Sequence, residues 1–190
     1  MRAGNTLNTT QSMLLTILVT LAVLIGIFVL IVALRPADFR ITRSATIPAG
    51  PEVVFQRVND FHLWPAWSPW ARLDPNCENS FEGTAAGVGS MFAWSGNKQV
   101  GAGGMAIVES KPRESIRLKL DFSKPFEGHF ATEFTFKPVS GGTEMTWTML
   151  GKNNFVAKAI GLVMSCDKMI GGQFEQGMAN LKEVLEAAAK

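Results

Sequence analysis

The chain contains no tyrosine. No phenol is available as an acid, a nucleophile or a buried hydrogen-bonding handle, so any such role falls to other groups. It has two histidines and two cysteines. Cys77 and Cys166 lie far apart, without a CxxC spacing or a nearby histidine, and carry no metal signature. The expectation is two free thiols, no metal and no cofactor. Beyond residue 35 a net charge of either sign is also missing, although the whole chain carries +2. Arg2 and Arg35 aside, the 16 remaining Lys and Arg equal the 16 Asp and Glu, and no basic run or basic helix stands out. A nucleic-acid footprint is therefore absent. There is no Ser-His-Asp order and no phosphate loop. The "GAGG" at 101–104 lies inside a strand pattern with no helix after it, and its glycines fit sheet curvature.

What the sequence has in excess is a long apolar run. Met13 to Leu34 reads MLLTILVTLAVLIGIFVLIVAL, 22 residues without a charge. Roughly 20 such residues span a bilayer as a helix, and a cleaved signal would have a shorter core and a better cleavage site than "VALRPADF". The expected organisation is a tail over 1–12, a transmembrane helix over 13–34, a linker over 35–38 and one domain over 39–190. Arg35, Arg40 and Arg43 outnumber Arg2 across the span, which places the domain in the cytoplasm of a single-pass protein of the inner (plasma) membrane.

Beyond the run, "FRITRSATI" at 39–47 alternates as a strand does. "PAGPEVVFQRVND" gives a helix start at Pro51, with Val54, Phe55, Val58 and Phe61 at helical spacing. From residue 80 the chain reads as strands between glycine-rich turns, including a hairpin turn at Ser95-Gly96-Asn97-Lys98. In "SIRLKLDF" residues 116, 118, 120 and 122 are apolar; in "GHFATEFTFKP" residues 130, 134 and 136; in "EMTWTML" residues 145, 147 and 149. Each strand has a wet and a dry face, the mark of an antiparallel sheet packed on one side. From Asp167 onward apolar residues recur every three or four positions, predicting a long C-terminal helix over the dry face. The order strand, helix, about six strands, long helix is an α+β fold.

"DFHLWPAWSPWARLDP" carries Trp64, Trp67 and Trp70, three of the five tryptophans. A period of three fits a 3₁₀ helix or a polyproline II segment, and Pro65 and Pro69 suit the latter especially. Three readings stand. The indoles plug one end of the sheet, they wall a ligand cavity with Trp67 as the lining residue, or they touch the membrane surface. His129 is expected in solvent, and His62 to cap or pack beside the tryptophans. Glu109, Asp167 and Lys168 are the groups an enzyme would need in its cavity, and Asp167 equally serves a helix start. Gly171 and Gly172 each cost a helix roughly 1 kcal/mol, so they mark a close backbone approach or room for a ligand.

The stretches "TIPAGPEVVFQRVNDFHLWPAWSPW", "WSGNKQVGAGGMAIVES" and "GGTEMTWTMLGKNNF" followed by "DKMIGGQFEQGMANLK" resemble the SRPBCC superfamily, the START-like or Bet v 1-like helix-grip domains, and within it the bacterial polyketide cyclase/dehydrase-like branch. The resemblance covers about residues 39–188. It implies a curved antiparallel sheet around the long helix, with a deep apolar cavity between them. Trp67, Trp70, Trp94, Phe126, Trp147, Asn154, Gly171 and Phe174 are the candidate lining residues. No catalytic residue is assigned. The expected function is binding of an apolar small molecule (a lipid, quinone or polyketide-like compound) by a membrane-anchored domain. The alternatives are a cyclase or dehydratase, and an interaction subunit docked on a membrane-protein partner.

Overall fold

A computed structural model describes residues 3–125 and 127–188. Arg2, used above for orientation, and Phe126 lie outside the described residues. The chain divides into two compact units. One comprises the residues through Ala37 together with Asn153–Met164. The other comprises Asp38–Lys152 together with the residues from Ser165 onward.

In the first unit, α1 runs from Ala3 to Leu34. Within it, Gln11–Leu34 has a mean hydropathy of 3.3 and is long and apolar enough to cross a membrane. Its apolar side chains are exposed on almost every side.

The second unit is one seven-stranded antiparallel sheet and a long helix, the α+β helix-grip arrangement. The strands are β1 (Asp38–Ile47), β2 (Glu78–Gly83), β3 (Ser90–Ser95), β4 (Ala102–Lys111), β5 (Ser115–Lys124), β6 (Gly128–Val139) and β7 (Gly142–Lys152). They lie in the order β1-β7-β6-β5-β4-β3-β2. The chain thus meanders from β2 to β7 and closes on β1. The β3–β4 connection is longer than the expected tight turn. Gly96–Gly101 form a loop pinned by Asp74, whose carboxylate accepts from the Asn97 backbone N–H at 2.6 Å. The positive φ falls at Gly101 (70°), not in the Gly-Asn pair.

Between β1 and β2 the chain forms α2 (Pro51–Asn59) and then two 3₁₀ turns, Phe61–Ala66 and Pro69–Arg72. Pro51 and Pro69 occupy first-turn positions, where a missing N–H costs nothing. The period-three segment is therefore 3₁₀ and not polyproline II. The reason lies in its side-chain bonds. The Trp64 indole N–H donates to the Val58 carbonyl (2.9 Å) and that of Trp67 to the Arg57 carbonyl (3.1 Å). These are last-turn carbonyls of α2, which have no partner within the helix. Folding the segment back in tight turns satisfies them.

The long helix, α4 (Cys166–Ala188), packs on β1 and on the 3₁₀ turns. It buries Phe174, Met178, Leu181 and Leu185. Asn180, fully buried, donates from Nδ2 to the Trp67 carbonyl (3.1 Å) and so ties the helix to the tryptophan segment.

A candidate ligand-binding trough

Residues 39, 41, 45 and 47 of β1 and the alternate residues of the other strands point to the side covered by α4, as the alternation predicts. What lies over each of them differs along the strands. In one cross-strand row, Leu118, Thr132, Met149 and Ile41 are all buried. In the next, Ile116, Phe134 and Trp147 are buried and Arg43 is partly so. Over these rows the aromatic side chains fill the space under α4. The Trp147 and Phe174 rings stack at 4.2 Å and 7°. Trp64 lies 4.9 Å from Trp67, and Trp67 5.9 Å from Trp147, between ring centroids.

Two rows at the other end of this face are different. Phe81, Phe92, Met105, Leu120, Phe130, Gly151 and Phe39 stand side by side across all seven strands. Every one is half-buried. The outermost row is Asn79, Trp94, Gly103, Phe122 and Gly128. The rings form an unbroken chain: Phe81 to Phe92 at 5.2 Å, Phe92 to Trp94 at 5.9 Å, Trp94 to Phe122 at 5.5 Å, Phe122 to Phe130 at 5.9 Å and Phe130 to Phe39 at 5.8 Å. Three glycines make this possible. A Cβ at Gly103 would run into the Asp121 carbonyl and the Trp94 ring, at Gly128 into Phe130, and at Gly151 into both Phe130 and Phe39. Their bare backbones let large rings lie over the neighbouring strand. The result is an aromatic trough whose only indole N–H, that of Trp94, is turned to the Val100 carbonyl (3.3 Å).

The expected lining residues therefore separate. Trp94 belongs to the trough. Trp67, Trp147 and Phe174 are 1%, 3% and 2% exposed and sit in the packed core. Trp70 is half-buried at its edge, 5.8 Å from Trp147 and 6.5 Å from Phe174. The Trp147 indole N–H is, among the described residues, the buried side-chain polar group without a partner. Gly171 marks a close approach to Arg43, whose guanidinium a Cβ there would strike. Gly172 faces open space. Asn154 belongs to the other unit, where its side chain caps a short helix by accepting from the Ala157 N–H (2.8 Å). The trough rings Phe39, Phe81, Phe92, Phe122 and Phe130 were not among the sequence candidates. Their signal was the strand alternation, which marks inward residues but not which of them stay uncovered.

The ion pairs lie outside the trough except at its Phe81 end. Arg43 donates to Asp167 (2.8 Å) and Glu175 (2.7 Å), clasping β1 to the first turns of α4. The hydrogen bond from Arg43 holds the Asp167 carboxyl below its usual range. Glu109 is likewise held down by its bond from Lys111. A lowered pKa is the opposite of the raised one that a carboxylic general acid needs near neutral pH. His129 is exposed and bonded to Asp121 (2.6 Å). His62 stacks on Phe81 (4.4 Å, 23°), with Nδ1 2.8 Å from Asp60. Both cysteines are free and half-buried, and burial pushes the Cys77 thiol up. A shallow groove of about 340 Å³ crosses the opposite face of β2–β5, floored by Met91, Ala93 and Ala106 and edged by Glu82, Lys119 and Asp121. Its charged rim and open surface suit an apolar ligand poorly.

The family model described as polyketide cyclase / dehydrase and lipid transport matches residues 38–186. The chain belongs to that family. The sequence matches no curated protein. Among solved structures, a Chromobacterium violaceum protein is similar at 21% identity and a TM-score of 0.56, over 80% of this chain and 99% of that one. A Rhizobium loti protein is similar at 22% and 0.55, over 77% and 99%. An Aha1 dimer from Colwellia psychrerythraea is similar at 17% and 0.57, over 78% and 96%. At such identities the likeness is one of fold. A polyketide cyclase / dehydrase and lipid transport fold is consistent with a domain that binds hydrophobic molecules.

Proposed function

We propose that this family member binds an apolar, flat or ring-bearing small molecule in the aromatic trough, as a membrane-anchored carrier or receptor. The observation that carries the reading is the row Phe81–Phe92–Met105–Leu120–Phe130–Gly151–Phe39, apolar or glycine on every strand and half-buried throughout. Covering what remains open of such an apolar sheet face with an apolar molecule is favourable. Stacked and edge-on rings offer a ligand π-faces worth about 0.5–1.5 kcal/mol per ring pair beyond buried area. The near absence of polar groups favours a lipid, quinone or polyketide-like body over a sugar or nucleotide. Gln11–Leu34 would hold the domain where such molecules dissolve, and Arg35 and Arg40 beside it favour a cytoplasmic domain.

The full chain, extracted from membranes in mild detergent, should carry a copurifying apolar molecule detectable by native mass spectrometry. Trp94→Ala should reduce its occupancy. A wild-type chain that emerges empty and fails to take up quinones or lipids would remove this reading. One observation favours the enzyme alternative: among the described residues, His62 and Asp60 form a hydrogen-bonded pair stacked at the Phe81 end of the trough. A cyclase would use such a pair as its acid–base group.

A further inference from the structure

The first unit contains, besides α1, the segment between β7 and α4. Its helix α3 (Phe155–Ile160) is capped by Asn154 and continues as turns through Met164. The segment packs against the end of α1. Arg35 Nη1 donates to the Gly161 carbonyl (2.9 Å), and the Asn153 N–H donates to the Ala37 carbonyl (2.8 Å). Against this fixed base, Phe155, Val156, Ile160, Leu162, Val163 and Met164 are all exposed, Val163 at 90%. Six large apolar side chains in twelve residues are far more than a water-facing connection carries. The only charge among these twelve is Lys158, and Arg35 and Lys152 flank the segment.

The position of the base says what covers these residues. Gln11–Leu34 is about 36 Å long at 1.5 Å per residue, slightly more than the ~30 Å hydrocarbon core. The last turn of α1 therefore lies at the membrane boundary, and a segment bonded to Arg35 and Ala37 lies at the same level. We infer that Asn153–Met164 is a second membrane contact, an interfacial insert with its apolar side chains in the headgroup–acyl boundary and Lys158 toward anionic headgroups. Such elements bury their apolar face about 5–10 Å into that boundary. The inference rests on α1 being a membrane anchor.

The test places a photoreactive benzoylphenylalanine at Val163 in the full chain, reconstituted in nanodiscs of phosphatidylcholine and phosphatidylglycerol. Leu24, mid-way along α1, and Lys182, on the exposed side of α4, serve as reference positions. Lipid adducts at Val163 in a yield comparable to Leu24 and well above Lys182 are expected. Adducts at Leu24 with none at Val163, or cross-links from Val163 to a second copy, would overturn the insert and leave the anchor standing. No adduct at Leu24 would overturn the anchor, and the insert with it. Met164 provides a second position should the Val163 variant fold poorly.

Discussion

Replacing Trp67 with alanine separates the two roles an indole has in this protein. Trp67 is 1% exposed, with its ring 4.9 Å from Trp64 and 5.9 Å from Trp147. Truncating a core aromatic to alanine costs about 3–5 kcal/mol. It also strips the Arg57 carbonyl of its 3.1 Å donor, and an acceptor so orphaned adds roughly 1 kcal/mol. The sum is about 4–6 kcal/mol. For a domain of this size each kcal/mol lowers Tm by about 2–4 °C, so the midpoint should fall by at least ~8 °C. Trp94 is half-buried in the trough, with Phe92 and Phe122 as ring neighbours. Removing about 100 Å² of buried indole at ~25 cal/mol per Å² costs ~2.5 kcal/mol, and the Val100 carbonyl, stripped of its 3.3 Å donor, adds roughly 1 kcal/mol at most. Thermal unfolding by circular dichroism, with partition of the extracted ligand measured on the same samples, reads both quantities. Trp67→Ala should lose mainly stability and Trp94→Ala mainly binding. A Trp67→Ala protein with an unchanged midpoint and lost binding would refute the assignment of Trp67 to the core.

The two buried glycines of α4 should respond differently to alanine in chemical denaturation. Gly171→Ala gains about 1 kcal/mol of helix propensity and displaces only the flexible Arg43 end, whose exposed ion pairs contribute ~0–1 kcal/mol each, so its midpoint should stay near that of the parent. At Gly177 a Cβ would sit 3.0 Å from the Trp147 ring and 3.1 Å from Pro69; overpacking such stiff neighbours costs about 1–3 kcal/mol, which less the same ~1 kcal/mol of helix propensity leaves Gly177→Ala destabilised by up to about 2 kcal/mol. The Asp167 carboxyl titrates lower when folded than when unfolded. Its contribution is thus present above the ordinary carboxylate pKa of about 4 and lost as pH falls through the lower folded value. Asp167→Asn should flatten that part of the acid limb in a series of unfolding midpoints against pH; an identical limb would mean that the Arg43 contact contributes nothing.

Much of the fold is legible because its signals are local. A period of two in "SIRLKLDF" and a period near 3.6 after Asp167 are written into neighbouring residues. They placed the strands, their dry faces and the long helix. A long uncharged stretch is equally local, and so Met13–Leu34 declares itself. The tryptophan segment shows where local reading stops. Its spacing fits 3₁₀ and polyproline II alike, and only the Arg57 and Val58 carbonyls, waiting at the end of α2, decide between them. The trough lies further still from what a sequence displays. Trp94, Gly103 and Phe122 become one surface through strand register, and so do Phe130, Gly151 and Phe39. Alternation turned Phe39, Phe122, Phe134 and Trp147 inward alike; where α4 and the 3₁₀ turns come to rest on the sheet decided that the last two are core and the first two remain half open. That placement depends on contacts between residues more than 100 apart, such as Asn180 with Trp67 and Arg43 with Glu175, and no window along the chain contains them.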